Sequence, residues 1–413
     1  DLRTAAFDRF ADKGLPTPRD EAWRQTPIAP IARTSWTPAG PVPPVEDALR
    51  EVPGLGTEGP RVVIVGGRVS PELSRLEVEG AELRSLQDLL ASEPERVAPW
   101  LGAAQGEGAS AFADLNTAFA PDVAVILVAP GALVDSPIQV VHVAAPSGKA
   151  PASYSRVLVV AGRGSESRIV ETFAGPAGSA YLASAVTEVF VEDNAFVDRY
   201  KLQLEGEQAY HLATLSARLG RDARFADHAF SFGAAIARND IDVRFDSEGG
   251  ECVLDGLFMV DGDRLTDTHS RVDHAQPHCS SREHYKGVLD GSGRGVFNAL
   301  IQVRPGAQRT NAEQMNRNLL LSPEALVHSV PQLEILADDV KCRHGSTTGQ
   351  LDPNALFYLR SRGLGEAESR ALLTWAFASD LVHGLPFPAL REAVEGQLQT
   401  RLRGGVRIEE ALR

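Results

Sequence analysis

The sequence predicts a mainly β protein, in which a long parallel β-helix is flanked by a helical segment at each end. Strand-like runs rich in β-branched residues follow one another from about residue 123 to about residue 345. Polar turns recur regularly within these runs, once in every two strands. Before and after them, apolar residues recur at helical spacing with clear start and stop signals.

Residues 1–110 are predicted to be an N-terminal helical domain that includes a proline-rich linker. Apolar residues recur at helical spacing from Leu2 to Phe10, and Gly14 follows as a stop signal. Prolines then interrupt any regular element at Pro38, Pro41, Pro43, Pro44, Pro53 and Pro60.

Residues 111–350 are predicted to be the parallel β-helix. Strand pairs recur around turns near Asn194, Asp222, Gly249, Gly293 and Glu324. The residue numbers of successive turns differ by 28, 27, 44 and 31. A drifting period of this kind with two strands per unit fits the stacked turns of a β-helix, whereas a propeller needs four strands per blade. A large irregular β-sandwich is the alternative.

Residues 351–413 are predicted to be a C-terminal helical domain. Asp352 can cap a helix that begins at Pro353 and stops at Gly363, and an amphipathic segment follows up to Gly384. A third helix follows Pro386. Amphipathic helices of this kind either cover a core or bind a partner, and the sequence leaves both roles open.

Composition and motifs exclude several classes of function. Acidic residues outnumber basic ones by 55 to 41, and the net charge of -14 argues against nucleic acid and favours protein partners. Three cysteines cannot form a disulfide framework, which favours a reducing compartment, the cytoplasm. No apolar run is long enough to span a membrane. No phosphate-binding glycine-lysine loop is present, so the chain is not expected to hydrolyse ATP alone.

One segment is rich in potential metal ligands. In close succession it contains His269, Asp273, His274, His278, Cys279 and His284. This composition suggests a metal, but the spacing matches no structural zinc pattern. Pro277 instead suggests a loop or a corner between strands. A secondary metal or interface role for His274, His278 and Cys279 therefore stands beside a structural one.

A second segment places Cys342 and His344 at the end of the last strand. Residues two apart in a strand share one face, with Cα atoms about 6.6 Å apart. Lys341 and Arg343 take the other face, where their charge is expected to favour the Cys342 thiolate. Thiolate and imidazole both bind iron-sulfur clusters, although a buried cysteine beside a hydrogen-bonded histidine is the ordinary structural alternative. Two ligands do not complete a four-coordinate iron, so either the site does not bind a metal or other ligands come from elsewhere.

Four long segments resemble the SufB/SufD family of iron-sulfur cluster assembly scaffold proteins. They are GLPTPRDEAWRQT, LNTAFAPDVAVILVAPGALVDSPIQ, GDRLTDTHSRVDHAQPHCSSREHYKGVLDGSGRGVFNALIQV and VPQLEILADDVKCRHGSTTGQLDPNALFYLRSRGL. They occur in the family's order and span essentially the whole chain. The length of the chain and the intact PQLEI and DDVKC segments resemble the SufD branch more than the SufB branch.

The resemblance implies a right-handed parallel β-helix with helical domains at both ends and a non-catalytic scaffold function. It implies two partners, the homologous scaffold SufB at the β-helix edge and the ATPase SufC at the C-terminal helices. It also implies a transient iron-sulfur cluster at the SufB interface, with His344 and Cys342 as the site residues of this chain. Alternatives are a SufB-like paralogue and a β-helix metalloenzyme that uses the segment from His269 to His284. A homodimer of the isolated chain, and iron or flavin bound to it, stay open.

Overall fold

The computed structural model describes residues 2–40, 49, 52–54, 59–105, 110–145 and 148–402. This part of the chain forms a mainly β solenoid of about eight turns, with α-helices toward its termini. The predicted β-helix flanked by helices is therefore confirmed. None of the helices described is both long and apolar enough to cross a membrane.

The α-helices of the described residues lie before residue 120 or after residue 352. Their bounds are α1 Leu2–Lys13, α2 Ala29–Ala32, α3 Leu86–Ser92, α4 Ala111–Phe119, α5 Pro353–Ser361, α6 Glu366–His383 and α7 Pro388–Arg401. Two predicted boundaries are confirmed. Helix α1 is followed by Gly14 in a left-handed conformation. The Asp352 carboxylate accepts a hydrogen bond from the Asn354 backbone N–H at 2.9 Å and caps α5.

The strands form two sheets that face each other across the solenoid lumen. Odd-numbered strands from β5 onward build one sheet and even-numbered strands from β6 onward the other, so each turn contributes one strand to each sheet. The bounds are β1 Thr37–Pro38, β2 Arg61–Val65, β3 Arg68–Val69, β4 Ala81–Ser85, β5 Ala124–Val128, β6 Ile138–Val143, β7 Pro151–Ala161, β8 Glu166–Ala174, β9 Leu182–Val191, β10 Phe196–Gln203, β11 Tyr210–Leu219, β12 Arg224–Ser231, β13 Ile236–Phe245, β14 Glu251–Val260, β15 Leu265–His274, β16 Ser280–Leu289, β17 Arg294–Val303, β18 Asn311–Leu320, β19 Leu326–Ile335 and β20 Lys341–Gly349.

One corner of the solenoid carries a column of residues in the left-handed conformation. They recur once per turn, at Gly164, Asn194, Asp222, Gly249, His278 and Arg309. Their backbone N–H groups donate to the corner of the next turn, as from Asn194 to Arg221 O at 2.8 Å. The predicted direct step from Gly249 to Gly293 is therefore wrong, because it joins two different corners. The next member of this column is His278, whereas Gly293 lies at the opposite corner between β16 and β17.

The segment before residue 110 contributes strands to the solenoid as well as helices. Strand β2 pairs in parallel with β6, and β4 pairs antiparallel with β5. The helical description of residues 1–110 is thus incomplete, because these strands extend both sheets beyond β5 and β6. Pro41, Pro43 and Pro44 of the predicted linker lie outside the described residues.

Charged groups lie inside the closed part of the lumen together with apolar ones. Arg199 is 3% exposed and donates to Glu171 at 2.7 Å and to Asp227 at 2.5 Å. Although burial opposes it, the Arg199 guanidinium and the His142 imidazole hold the pKa of Glu171 below its ordinary value. Buried charges of this kind are tolerated because each has a partner.

Helices α6 and α7 pack on the side of the even-numbered sheet that faces away from the lumen. Ala378, Val382, Leu390 and Val394 form one buried cluster with Tyr200, Leu202, Phe230 and Leu257. Lys286 is buried and donates to the Phe377 carbonyl at 2.7 Å and to Asp380 at 2.6 Å. These two helices therefore cover a core. Helix α5 does not, because its Phe357 is 75% exposed and its Tyr358 is 56% exposed.

Candidate functional site

The solenoid is open at its C-terminal end. Strands β19 and β20, of 10 and 9 residues, are the last strands of their sheets. No other segment of the described chain pairs with their outer edges. Two rows of backbone N–H and C=O groups are therefore available there, which is the arrangement that another strand can extend.

Cys342 and His344 lie side by side on the lumen side of β20. Cys342 is in register with Ala312 of β18 and His344 with Gln314, and both β18 residues are buried in the lumen. Cys342 packs against the apolar cluster that contains Ala312, and it is half-buried. The predicted shared face of the two residues therefore agrees with the strand register.

The imidazole of His344 lies in the mouth of the open end. Two residues further along β20, the Ser346 hydroxyl donates to the Ser329 hydroxyl of β19 at 2.8 Å, across the lumen. His344 faces the same inward side of β20 as Ser346. It is nevertheless exposed, because no further turn of the described chain covers it. Its ring is thus held by the strand and accessible from outside.

The outward face of β20 carries the basic residues. Arg343 is largely exposed and donates to Glu313 of β18 at 2.7 Å. The expected stabilisation of the Cys342 thiolate by these charges is wrong, because burial raises the pKa of the Cys342 thiol. In the isolated chain Cys342 is a thiol that requires deprotonation before it can bind a metal.

A polar pair lies below His344 in the same inward column. Glu283 of β16 is in register with Gln314 of β18, and both are fully buried. Gln314 Nε2 donates to Glu283 Oε2 at 2.6 Å, and burial raises the pKa of Glu283 to about 7. Neither residue was predicted from the sequence. The signal that identifies them is spacing, because Glu283, Gln314 and His344 follow one another at intervals of one solenoid turn.

The three candidates for a secondary metal or interface site occupy different environments. His274 is fully buried, with Nε2 at 2.8 Å from the Ser281 hydroxyl, and burial lowers its pKa to about 4. His278 is exposed at the corner of its turn, where a corner was predicted. Cys279 is buried, with Sγ at 3.5 Å from the carbonyl oxygens of Ser247 and Pro277, and burial raises its pKa.

His269 and Asp273 of that segment are engaged with neighbours of their own, whereas the buried Nε2 of His284 has no hydrogen-bond partner among the described residues. His269 Nε2 lies 3.0 Å from Asp267, and Asp273 accepts hydrogen bonds from Arg304 at 2.9 and 3.0 Å. Among the residues described, no group of three or more His, Cys, Asp or Glu side chains is arranged to hold a metal ion. A metal or interface role for His274, His278 and Cys279 stays a prediction.

Comparison with known protein families decides the class of protein. Residues 143–377 match the SufBD core domain of the SUF iron-sulfur cluster assembly system, and residues 1–140 match the SufBD N-terminal region. The chain belongs to the SufB/SufD family of iron-sulfur cluster assembly proteins. The boundary between the two matches falls at the end of β6, so the N-terminal family region contains the first strands of both sheets.

Three relatives in this family match between 65% and 95% of the chain. The iron-sulfur cluster assembly protein SufD of Escherichia coli is 31% identical over 95% of this chain and 91% of its own length. A SufBD family protein of Synechocystis is 30% identical over 94% of this chain and 88% of its own length. SufD of Bacillus subtilis is 26% identical over 65% of this chain and 62% of its own length. Within the SufB/SufD family the chain is SufD-like.

Proposed function

We propose that the chain is a non-catalytic scaffold subunit that pairs with SufB through its open β-helix end. An iron-sulfur cluster is assembled at that junction on His344 and Cys342 and is then released. The helices at the C-terminus dock the ATPase SufC, which hydrolyses the ATP. The observation that carries this proposal is the position of His344 and Cys342 at the unpaired end of the solenoid.

The open end favours a β-structured partner. Beside the free edges of β19 and β20 it exposes apolar side chains, including Val330 at 45% and Leu336 at 54%. Exposed edges with apolar residues are liable to pair with another chain, and a homologous β-helix has the strands to do so. The same surface also allows a homodimer of the isolated chain.

The ligand set favours a shared site. Cys342 and His344 provide one sulfur and one nitrogen, whereas iron in a cluster is held by four ligands. The nearest outward residue of β20, Arg343, is an ion-pair partner of Glu313 and is not a ligand. The missing ligands would come from SufB and from the sulfide of the cluster itself. The cluster is a substrate of this assembly.

The exposed aromatic residues of α5 favour it as the docking element for SufC. Phe357 and Tyr358 are adjacent in sequence and largely exposed, while α6 and α7 bury their apolar faces against the sheet. An exposed aromatic pair on a short helix suits a helix-in-groove contact. Truncation at residue 352 would uncover the apolar side of the sheet, so point substitutions on α5 are the sharper test.

The central test replaces His344 by Ala in the complex with SufB and SufC. Because His344 is exposed and fills no cavity, the variant complex should assemble normally, while cluster formation fails. Cys342→Ser should do less harm if SufB thiolates compensate. The measurement is cluster reconstitution followed by absorbance, beside size-exclusion profiles. Arg343→Ala, on the outward face of the same strand, is the control. A His344→Ala complex that assembles and forms clusters at the normal rate would overturn the proposal.

A second test concerns the edge. Val330→Lys places a charge beside the free edge of β19 and should abolish co-purification with SufB without changing the stability of the isolated chain. Leu133→Lys is the matched control, since Leu133 is 68% exposed near the start of β8. Normal pairing of the Val330→Lys chain would place the SufB contact elsewhere.

The double variant Phe357→Ala with Tyr358→Ala should lose binding to SufC and keep binding to SufB.

A further inference from the structure

Gln314 is fully buried and has an unused hydrogen-bond acceptor. Its Nε2 donates to Glu283, whereas its Oε1 is buried and has no hydrogen-bond partner among the described residues. A buried acceptor without a partner is unfavourable, because it has lost its hydrogen bond to water, so such an atom calls for an explanation. The residue in register with Gln314 on its other side is His344.

His344 is the register partner of Gln314 on the inward side of the strands, so a rotation of the His344 side chain can bring its imidazole to this acceptor. Neighbouring strands lie about 4.8 Å apart, and side chains of register partners on one face stack directly. Ser270 of β15 lies opposite Glu283, and its register partner Ala299 of β17 is also small. The lumen is therefore open enough for the Gln314 amide and the His344 ring to meet edge to edge.

A histidine binds a metal best when the proton on its second ring nitrogen is held by a hydrogen-bond acceptor. An imidazole offers one unprotonated nitrogen to a metal only when the other nitrogen carries the proton, and a fixed acceptor for that proton selects the tautomer. An exposed ring without such an acceptor samples both tautomers and several rotamers. His344 is exposed, and its register partner on β18 is the buried Gln314.

We propose that Gln314 is a positioning residue for His344, and that Glu283 anchors it. The carbonyl oxygen of the Gln314 amide accepts the ring N–H of His344, and the amide N–H₂ is held by the Glu283 carboxyl. The ring then presents its unprotonated nitrogen at the open end of the solenoid. The role of Gln314 and Glu283 in cluster assembly rests on the proposed function of His344. The hydrogen bond between Gln314 and His344 does not depend on that function.

The test reads the tautomer of His344 directly in the isolated chain. The full chain is labelled with ¹⁵N at its 10 histidines, and the His344 signals are assigned from their absence in His344→Gln. The wild type should show a single tautomer and a ring N–H proton that exchanges slowly with water. Gln314→Met, which keeps the length of the side chain and removes the acceptor, should shift the two nitrogens toward the tautomer mixture of free imidazole. Gln314→Glu should restore the single tautomer.

Asn316 provides the matched control. It is fully buried on the same inward side of β18 as Gln314, but its register partner is Ser346. Asn316→Leu therefore carries a similar packing cost and should leave the His344 signals unchanged. Equal His344 spectra in folded Gln314→Met and wild type would overturn the inference. If Gln314→Met does not fold, a rapidly exchanging ring N–H in the wild type overturns it in the same way.

Cluster formation in the complex provides a separate readout. Mutating the outer hydrogen-bond partner of a metal ligand typically lowers metal affinity or activity by about 10-fold to 100-fold. Gln314→Met should therefore slow cluster formation by about that factor. If His344→Ala abolishes clusters while Gln314→Met changes neither the tautomer nor the rate, the inference fails and the proposed function stands. If His344→Ala forms clusters normally, the proposed function fails, and the tautomer measurement still decides the hydrogen bond.

Discussion

The two ends of the odd-numbered sheet differ in what covers them. At the N-terminal end the last strand is β4, which pairs antiparallel with β5 and buries Leu83 to 2% exposure. At the C-terminal end the last strand is β19, where the inward residue Leu333 is only half-buried. The chain thus closes one end of its solenoid with its own strands, and in the residues described it leaves the other end uncovered.

This difference shows where a functional side chain has little effect on the stability of the fold. Residues in closed turns are fixed by neighbours on both sides, so their side chains are chosen for packing and for satisfied polar groups. His344 has a neighbouring turn on one side only. A metal ligand placed there is held by the strand below and stays accessible to a partner above.

The largest expected effect is the loss of a charge from the closed lumen. Arg199→Met leaves Asp227 buried without its ion-pair partner and leaves Glu171 with His142 alone, which should lower the free energy of unfolding by about 3 to 5 kcal/mol. Arg343→Met at the open end removes only an exposed ion pair and should cost less than about 1 kcal/mol. Urea denaturation followed by circular dichroism measures both. Equal costs would remove the distinction between the closed lumen and the open end.

The next prediction compares the loss of stability from substitutions in the two terminal strands, β4 and β19. Leu83→Ala removes a buried side chain at the closed end and should destabilise by about 2 to 5 kcal/mol. Leu333→Ala at the open end should cost far less in the isolated chain, because part of that side chain is already exposed. Ile301, the buried register partner of Leu333, is the matched control and should behave like Leu83. A Leu333→Ala cost as large as that of Ile301→Ala would mean that the open end is covered in solution.

The smallest of these effects depends on pH and concerns a closed turn. The pKa of His274 is lowered by burial from 6.5 to about 4, so below pH 6.5 the unfolded chain binds a proton that the folded chain does not. Stability should therefore fall as the pH drops from 6.5 to 4, by at most about 3 kcal/mol from this residue. His274→Gln should flatten that slope. The measurement is urea denaturation across this pH range.

The fold was largely predictable because its signals are local. Turn residues such as Asn194 and Asp222 interrupt β-branched runs, and the Asp352-Pro353 pair marks the start of α5. The early strands were not predicted, since β2 and β4 are short and lie among helices and prolines. Their pairing with β6 and β5 is a tertiary effect that propensity does not report.

The candidate site was predictable only in part. Cys342 and His344 are two residues apart, so alternation along a strand is enough to put them on one face. The relation of His344 to Gln314 and Glu283 requires the register between turns, which a sequence gives only when the repeat length is known at that point. The depth of the Cys342 sulfur, which raises its pKa, likewise depends on packing against Ala312 and its neighbours.

The even spacing of the left-handed corner residues has a consequence for how the molecule opens. Because each turn hydrogen-bonds only to the turns before and after it, the solenoid behaves as a row of units coupled to their nearest neighbours. A terminal unit with a single neighbour has the lowest free energy of local opening. Amide hydrogens of β19 and β20 should therefore exchange before those of β11 to β14. A partner that binds to this last turn supplies its missing neighbour. The turns of the solenoid should then open more cooperatively.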